Sequence, residues 1–325
     1  MTMRNPAVDY TATAVRPAWD SLPESVRSLV SDRLGGPVTS GPSAGGGFSG
    51  GYAAVVRGPA GALFVKAVSA TDNPHIAANY RREAVINQAL PSGVPVPRVH
   101  WIDQADDWVV LGLDPVDGAR MPGLGDLDRV LASWHGVIDA LATPPQSLLD
   151  VGLNTAEDDN GQAFAGWRRI AAGEIPASIL GDWFPRDLIV PLAHLEDGWA
   201  VATAGTAVVH HDLRMDNVVL DGAGAPWFCD WNWPSLAASW LDLPPLLVPA
   251  FAAGRDTSAL LAAQPCMAGV SPEQADALLA AVAGYWLVSG SHDFIPASPW
   301  LRQHQTWSGE ATVRWLAQRR GWTLN

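Results

Sequence analysis

The chain has 325 residues, 48% of them hydrophobic, and a formal net charge of −13. Such a length and apolar content can bury a sizeable core, while the acidity argues against a nucleic-acid partner, because phosphate backbones bind basic surfaces. Two cysteines, Cys229 and Cys266, exclude a disulfide framework or a four-ligand zinc site.

In chain order, Leu22, Val26, Leu29, Val30 and Leu34 fall near helical spacing, which predicts a helix over 19–34 that ends at Gly35-Gly36. Strand character precedes a Gly- and Ser-rich segment, 41–51. Two strands follow, Tyr52 to Arg57 and Leu63 to Val68, joined by the turn Gly58-Pro59-Ala60-Gly61. Asn73 and Pro74 open a helix that runs to about Leu90. Pro91 to Pro97 break it, and strands follow at 98–102 and 108–113. From Asp114 the pattern is mostly helical. Asp126 starts a helix with the apolar face Leu127, Val130, Leu131, Trp134, Ile138 and Leu141; others are expected near 160–172, 186–196, 245–263, 272–289 and 308–320. The expectation is an α+β chain of two lobes, a β-rich N-lobe over 1–113 and a helical C-lobe over 114–325. No segment has the unbroken apolar length of a membrane helix and no leader pattern opens the chain, so a cytoplasmic protein without a membrane partner is expected.

Three features carry chemistry. Of 20 basic residues only Lys66 is a lysine. A compact ammonium on a flexible stem does what a planar guanidinium does not where a point charge must reach a phosphate. Upstream lies Gly45-x-Gly47-x-x-Gly50, whose glycines let backbone amides approach phosphates closely. A dinucleotide fold needs a helix directly after such glycines, and here a strand follows; a Walker loop needs Gly-Lys-Ser/Thr, and the lysine follows Val65. The same residues, Gly47-Phe48-Ser49-Gly50-Gly51, also fit the nucleophile elbow of a serine hydrolase, which would require strand-turn-helix.

The third feature is Val208-Val209-His210-His211-Asp212-Leu213-Arg214-Met215-Asp216-Asn217-Val218-Val219-Leu220, a polar loop between apolar runs, with Asp230 behind Trp227-Phe228-Cys229. Phosphoryl transfer needs a carboxylate at the attacking hydroxyl and oxygen ligands for Mg²⁺. Asp212 suits the first task; Asn217 and Asp230 suit the second.

On these residues, with Phe64-Val65-Lys66, Arg82-Glu83 and Trp240-Leu241-Asp242-Leu243, the chain resembles the aminoglycoside phosphotransferase and choline kinase-like family, relatives of the protein kinases. The resemblance implies a two-lobed kinase-like fold. It also implies transfer of the γ-phosphate of ATP or GTP, with Mg²⁺, to a hydroxyl of a small acceptor. By it, Gly45, Gly47, Ser49, Gly50, Lys66 and Glu83 form the nucleotide site, with Glu83 paired to Lys66. Asp212 is the catalytic base, Asn217 and Asp230 hold the metal, backbone groups between Val110 and Val116 hold the base, and His210 and Asp242 brace the loop. His211, Arg214 and Asn232 depart from residues common in the family at those positions. Acidic residues and Trp231, Trp233, Trp240, Trp300 and Trp307 would suit a cationic or amino-sugar acceptor. An antibiotic-inactivating enzyme is one expectation, and a catalytically inactive nucleotide-binding module of the same fold is the other.

Overall fold

A computed structural model describes Val8, Tyr10 and residues 12–325. The N-terminal half of the fold is built on a five-stranded antiparallel sheet. Its strands are β1 (Thr39–Ser43), β2 (Tyr52–Gly58), β3 (Gly61–Ser69), β4 (Val99–Ala105) and β5 (Trp108–Leu113), in the order β1-β2-β3-β5-β4. Gly58 pairs with Gly61 across a two-residue turn, which sets the β2–β3 register. Side chains alternate across β3. Val65 and Ala67 face helix α1 (Glu24–Arg33) through Val26 and Val30, whereas Phe64 and Val68 face helix α2 (Pro74–Ala89) through Tyr80 and Ala84. Lys66 shares the second face, and Glu83 shares the buried stripe of α2 with Tyr80 and Ala84. The strand and helix periods therefore bring these two charged residues together.

The remainder is mostly helical. In order come α3 (Leu127–Leu141), α4 (Gln146–Leu149), α5 (Ala156–Asn160), α6 (Gly166–Ala171), α7 (Ile189–Asp197), α8 (Trp199–Ala202), α9 (Leu243–Ala252), α10 (Thr257–Ala262), α11 (Pro272–Gly290) and α12 (Leu301–Arg320). Helix α11 is an Ala-rich helix buried along most of its length, and α12, α7, α8 and α6 pack around it. Two short ladders, β6 (Ala207–Val209) with β9 (Ser235–Ala237) and β7 (Val218–Leu220) with β8 (Pro226–Phe228), frame the polar loop 210–217. Among the described residues no helix is long and apolar enough to cross a membrane.

Several expected boundaries move. The predicted helix over 19–34 is a 3-10 turn, Trp19–Ser21, followed by α1, because Pro23 separates them. The expected helix near 160–172 is the shorter α6, preceded by α5, which ends at Asn160, and that over 245–263 is divided into α9 and α10 at Gly254, where φ is +82°. Helix α12 starts at Leu301, a turn and more before the expected 308.

Helices α6 and α11 cross at van der Waals contact: a Cβ on Gly166 would lie 2.7 Å from the Gly284 carbonyl. The obstruction is backbone and cannot rotate away. Gly166→Ala is expected to destabilise the fold by about 1–3 kcal/mol, read as a lower urea midpoint at unchanged m-value.

Candidate active site

Lys66 leaves the centre of the sheet and is met by carboxylates from two other segments. Its Nζ donates to both Glu83 oxygens, at 2.8 and 2.9 Å, and to Oδ1 of Asp230. Burial acts to depress the Lys66 ammonium, but Asp230 and Glu83 more than reverse that, and its pKa stands above the ordinary lysine value. For Asp230 burial acts upward and Lys66 outweighs it, so the carboxyl is held below its usual range. Both groups are therefore charged at neutral pH.

The polar loop is fixed by buried groups at its base. Asp242, 2% exposed, accepts the amides of His210 and His211, each at 2.8 Å. His210 donates from Nε2 to the Cys229 carbonyl (2.8 Å) and packs at a tilt against Trp231, with ring centroids 4.6 Å apart. Burial pushes the Cys229 thiol up to about 12, so it stays neutral and serves the site through its backbone. The Cys229 amide in turn donates to the Asn217 carbonyl at 2.8 Å, which sets Asp230 beside Asn217. The Asn217 side-chain amide donates to the Asp212 carbonyl at 2.8 Å and to Asp212 Oδ2 at 3.1 Å.

Arg214 completes this cluster. Its Nε and Nη2 hold Asp216 bidentately, at 2.9 and 3.0 Å, and its Nη1 bonds Oδ1 of Asp212. Each Asp212 oxygen accepts one side-chain bond here, and a carboxylate oxygen has room for two. The base candidate therefore keeps acceptor capacity for a hydroxyl.

The Gly-rich loop lies down over these groups. Arg16 donates to the carbonyls of Ala44, Gly46 and Gly51 at 3.0, 2.8 and 2.8 Å. The Thr13 hydroxyl bonds the Gly45 and Gly47 carbonyls, and the Ser298 hydroxyl bonds that of Phe48. The loop's carbonyls are thus tied back, while its N–H groups from 46 to 50 have no protein acceptor among the described residues. Gly47 has φ +78°, and a Cβ there would lie 3.9 Å from Asp230 Oδ2. Phe48 covers the Arg214 guanidinium, 5.6 Å from its ring centroid.

The residues expected from the sequence at Gly45, Gly47, Lys66, Glu83, Asp212, Asn217 and Asp230 thus converge. Ser49 and Gly50 lie on the same loop. A nucleophile elbow at Ser49 is overturned: strand β2 follows the loop where an elbow needs a helix, and Ser49 lacks a left-handed φ. Both edges of β5 are paired, with β3 and β4, so of the 110–116 backbone only 114–116 lies outside the sheet. Trp231 and Trp240 are core residues at 0% and 4% exposure, which removes them as acceptor contacts. Asp230 and the Asn217 amide supply oxygen donors beside the Gly-rich loop. Such a pair suits a hard divalent ion that takes its other ligands from phosphate and water. Among the described residues no group of three or more His, Cys, Asp or Glu forms a metal cluster. A hollow of about 440 Å³ beside 114–117 contains Asp114, Asp117 and Asp221, with none of the residues of the Gly-rich loop or the Lys66 cluster. Asp114 is spent on the Arg98 amide and His100, and Asp221 on the amides of Ala223 and Ala225.

Sequence patterns missed Thr13, Arg16, Asp216 and His304. The contacts of Thr13, Arg16 and His304 are long-range, Asp216 is held by Arg214 two residues away, and only Arg214, as a departure from a family pattern, pointed at this corner.

No family profile matches the chain, and no curated protein matches it in sequence. Solved structures do match in shape. An apo thermostable mutant of aminoglycoside phosphotransferase APH(4)-Ia superposes with a TM-score of 0.61 at 13% identity, over 90% of this chain and 98% of that one. Choline kinase LicA from Streptococcus pneumoniae gives 0.54 at 11% identity over 90% and 99%, and a putative fructosamine-3-kinase from Haemophilus somnus 0.54 at 11% over 91% and 97%. This chain has the kinase-like fold of the small-molecule phosphotransferases. In that kinase-like fold the sheet supplies Lys66, the first large helix Glu83, and the loop between β6 and β7 the Asp212 and Asn217 side chains.

One titration follows from the geometry. The Asn160 amide donates to His211 Nε2 at 2.8 Å, so Nδ1–H donates to Ser235 Oγ at 2.6 Å and the ring is neutral. Burial lowers the His211 pKa to about 4, against smaller upward pulls from Asp159 and Asp212. A folded pKa below the unfolded value means stability is complete above about 6.5 and falls as pH drops towards 4. Urea titrations of the kinase-fold chain should lose on the order of 1–3 kcal/mol across that window from this group. In His211→Ala the slope of stability against pH over the same window should be shallower.

Proposed function

We propose that this protein is a kinase that moves the γ-phosphoryl group of ATP or GTP to a hydroxyl of a small molecule, with Asp212 as catalytic base. The observation that carries the reading is the meeting of Lys66 with Glu83 and Asp230, drawn from three separate segments, directly beside the Asp212–Asn217 loop. Structural neighbours support a nucleotide donor: an APH(4)-Ia variant is described with ADP and hygromycin B, and LicA with AMP.

In this reading Lys66, oriented by Glu83, presents its ammonium to the donor phosphates. The backbone from Gly45 to Gly50, Ser49 included, covers them with its N–H groups. The nucleobase lies at the connector 114–116. Asp230 and Asn217 would hold Mg²⁺, which when bound neutralises charge on the phosphates. The acceptor oxygen attacks the γ-phosphorus, the bond from that phosphorus to the β–γ bridging oxygen breaks, and the nucleoside diphosphate leaves. The hydroxyl proton passes to Asp212. Arg214 and Asn217 keep the Asp212 carboxylate aimed, and the guanidinium adds positive charge where anionic oxygens gather. An inactive binding module would have no use for an intact base, and Asp212, Asn217 and Lys66 are all present and assembled.

Asp212→Ala is expected to lower kcat by roughly 10²–10⁴-fold while nucleotide affinity stays close to wild type. The check is transfer of label from γ-labelled nucleotide to a screened acceptor, beside a nucleotide titration. Equal turnover by the variant would remove Asp212 from the chemistry, and loss of nucleotide binding with activity would make it a structural residue.

A further inference from the structure

Beside the base, α9, α11, α12 and the 121–124 segment enclose a second cavity of about 310 Å³. Its walls are mainly apolar, with Met121, Leu246, Val248, Trp286 and Trp307 among them. It adjoins both halves of the reaction centre. Arg214 lines it and is bonded to Asp212, and a Cβ on Gly46 of the Gly-rich loop would lie 3.4 Å from the Met121 sulfur.

Two observations say what this cavity takes. The first is charge. Among the described lining residues the charged ones are Arg214 and Asp216, and they satisfy each other: both Asp216 oxygens are held by the guanidinium. No carboxylate is left over for an ammonium group, and bringing a polycation into such walls carries a desolvation cost without a partner.

The second is an unspent polar atom. His304 is 8% exposed and lines the cavity. Its Nδ1 is bonded to the Tyr10 hydroxyl at 2.8 Å, and its Nε2 is buried with no hydrogen-bond partner among the described residues. Buried polar atoms in native proteins nearly always have a partner, so an orphan at a cavity wall points to one supplied by a ligand. The ring is neutral: burial lowers its pKa to about 4, and Arg214 acts in the same direction.

We infer that this cavity is the acceptor subsite of the proposed kinase, and that the acceptor is a compact, uncharged, largely apolar alcohol with a second polar group meeting His304 Nε2, rather than a polycationic amino sugar. The inference rests on the kinase reading for the word acceptor, but not for occupancy of the cavity. A volume of about 310 Å³ is at the small end for ligand sites, which fits one ring or a short branched chain inserted between Trp286 and Trp307. The acidic residues Asp114, Asp117 and Asp221 gather elsewhere, at the connector hollow.

The test titrates the full chain with menthol and borneol as uncharged alcohols and 2-deoxystreptamine as the cation, following ligand-detected NMR. Mg²⁺–ATP and Mg²⁺–GTP are titrated in parallel. Wild type should bind at least one of the two alcohols saturably and 2-deoxystreptamine not at all. Ser308→Phe, which fills the cavity from α12, should weaken the alcohol at least tenfold with nucleotide affinity unchanged. The smaller Ser308→Leu should give an intermediate loss and covers the case in which the larger side chain disturbs folding. His304→Phe, which keeps the ring and removes Nε2, should weaken the alcohol as well. Absence of binding by both alcohols, binding that ignores the Ser308 series, or saturable binding of 2-deoxystreptamine would overturn the inference. Failure of both nucleotides to bind would instead overturn the kinase reading, and the alcohol titration would still report on the cavity.

Discussion

The arrangement depends on the buried ammonium of Lys66. One cation with 9% exposure is satisfied by carboxylates from α2 and from the segment after β8, so it couples the sheet to the helical part. Breaking a buried pair by removing one partner leaves an uncompensated charge, which costs far more than a surface ion pair contributes. The same geometry suits phosphate chemistry. A cation shared between two carboxylates can pass part of its interaction to an incoming phosphate while Glu83 continues to hold it, and Asp230 is then free to face a metal ion.

A second constraint is the backbone of the loop and its neighbour. His211 and Asp230 have φ of +65° and +60°, a region that non-glycine residues adopt at a cost. Asp242 accepts the amides of His210 and His211, and His210 ties the loop to the carbonyl just before Asp230. The strained positions are therefore the ones that aim the two acidic side chains, and their cost is offset by a buried carboxylate and an imidazole. Arg16 does the equivalent for the Gly-rich loop, since its guanidinium gathers three carbonyls to one side and leaves the amides facing the other.

Much of this was legible in the sequence, and the reason differs by element. The sheet could be read because turn residues and alternation are local, as at Gly58-Pro59-Ala60-Gly61. The Lys66, Asp212, Asn217 and Asp230 set could be read because their residue types and spacing answer one chemical need. The divided helices were not legible, since the Ala- and Leu-rich runs on either side of Gly254 carry helix propensity through a break that tertiary packing imposes. Thr13, Arg16 and His304 were hidden for another reason. Arg16 meets the Gly-rich loop some thirty positions away, and Tyr10 meets His304 across nearly the whole chain. No short-range pattern records such contacts. The aromatic residues could not be sorted from the sequence: Trp231 serves the core and the loop, while Trp286 lines the cavity next to the base.

The central claim is that Lys66 is the phosphate contact of a nucleotide site, and the direct measurement is a thermal shift with ATP and with GTP, each with and without Mg²⁺, on wild type and Lys66→Ala. The account predicts that at least one nucleotide raises the wild-type Tm in the presence of Mg²⁺ and that Lys66→Ala loses most of that increment. A wild type unmoved by either nucleotide, or a variant stabilised as strongly as wild type, would contradict it.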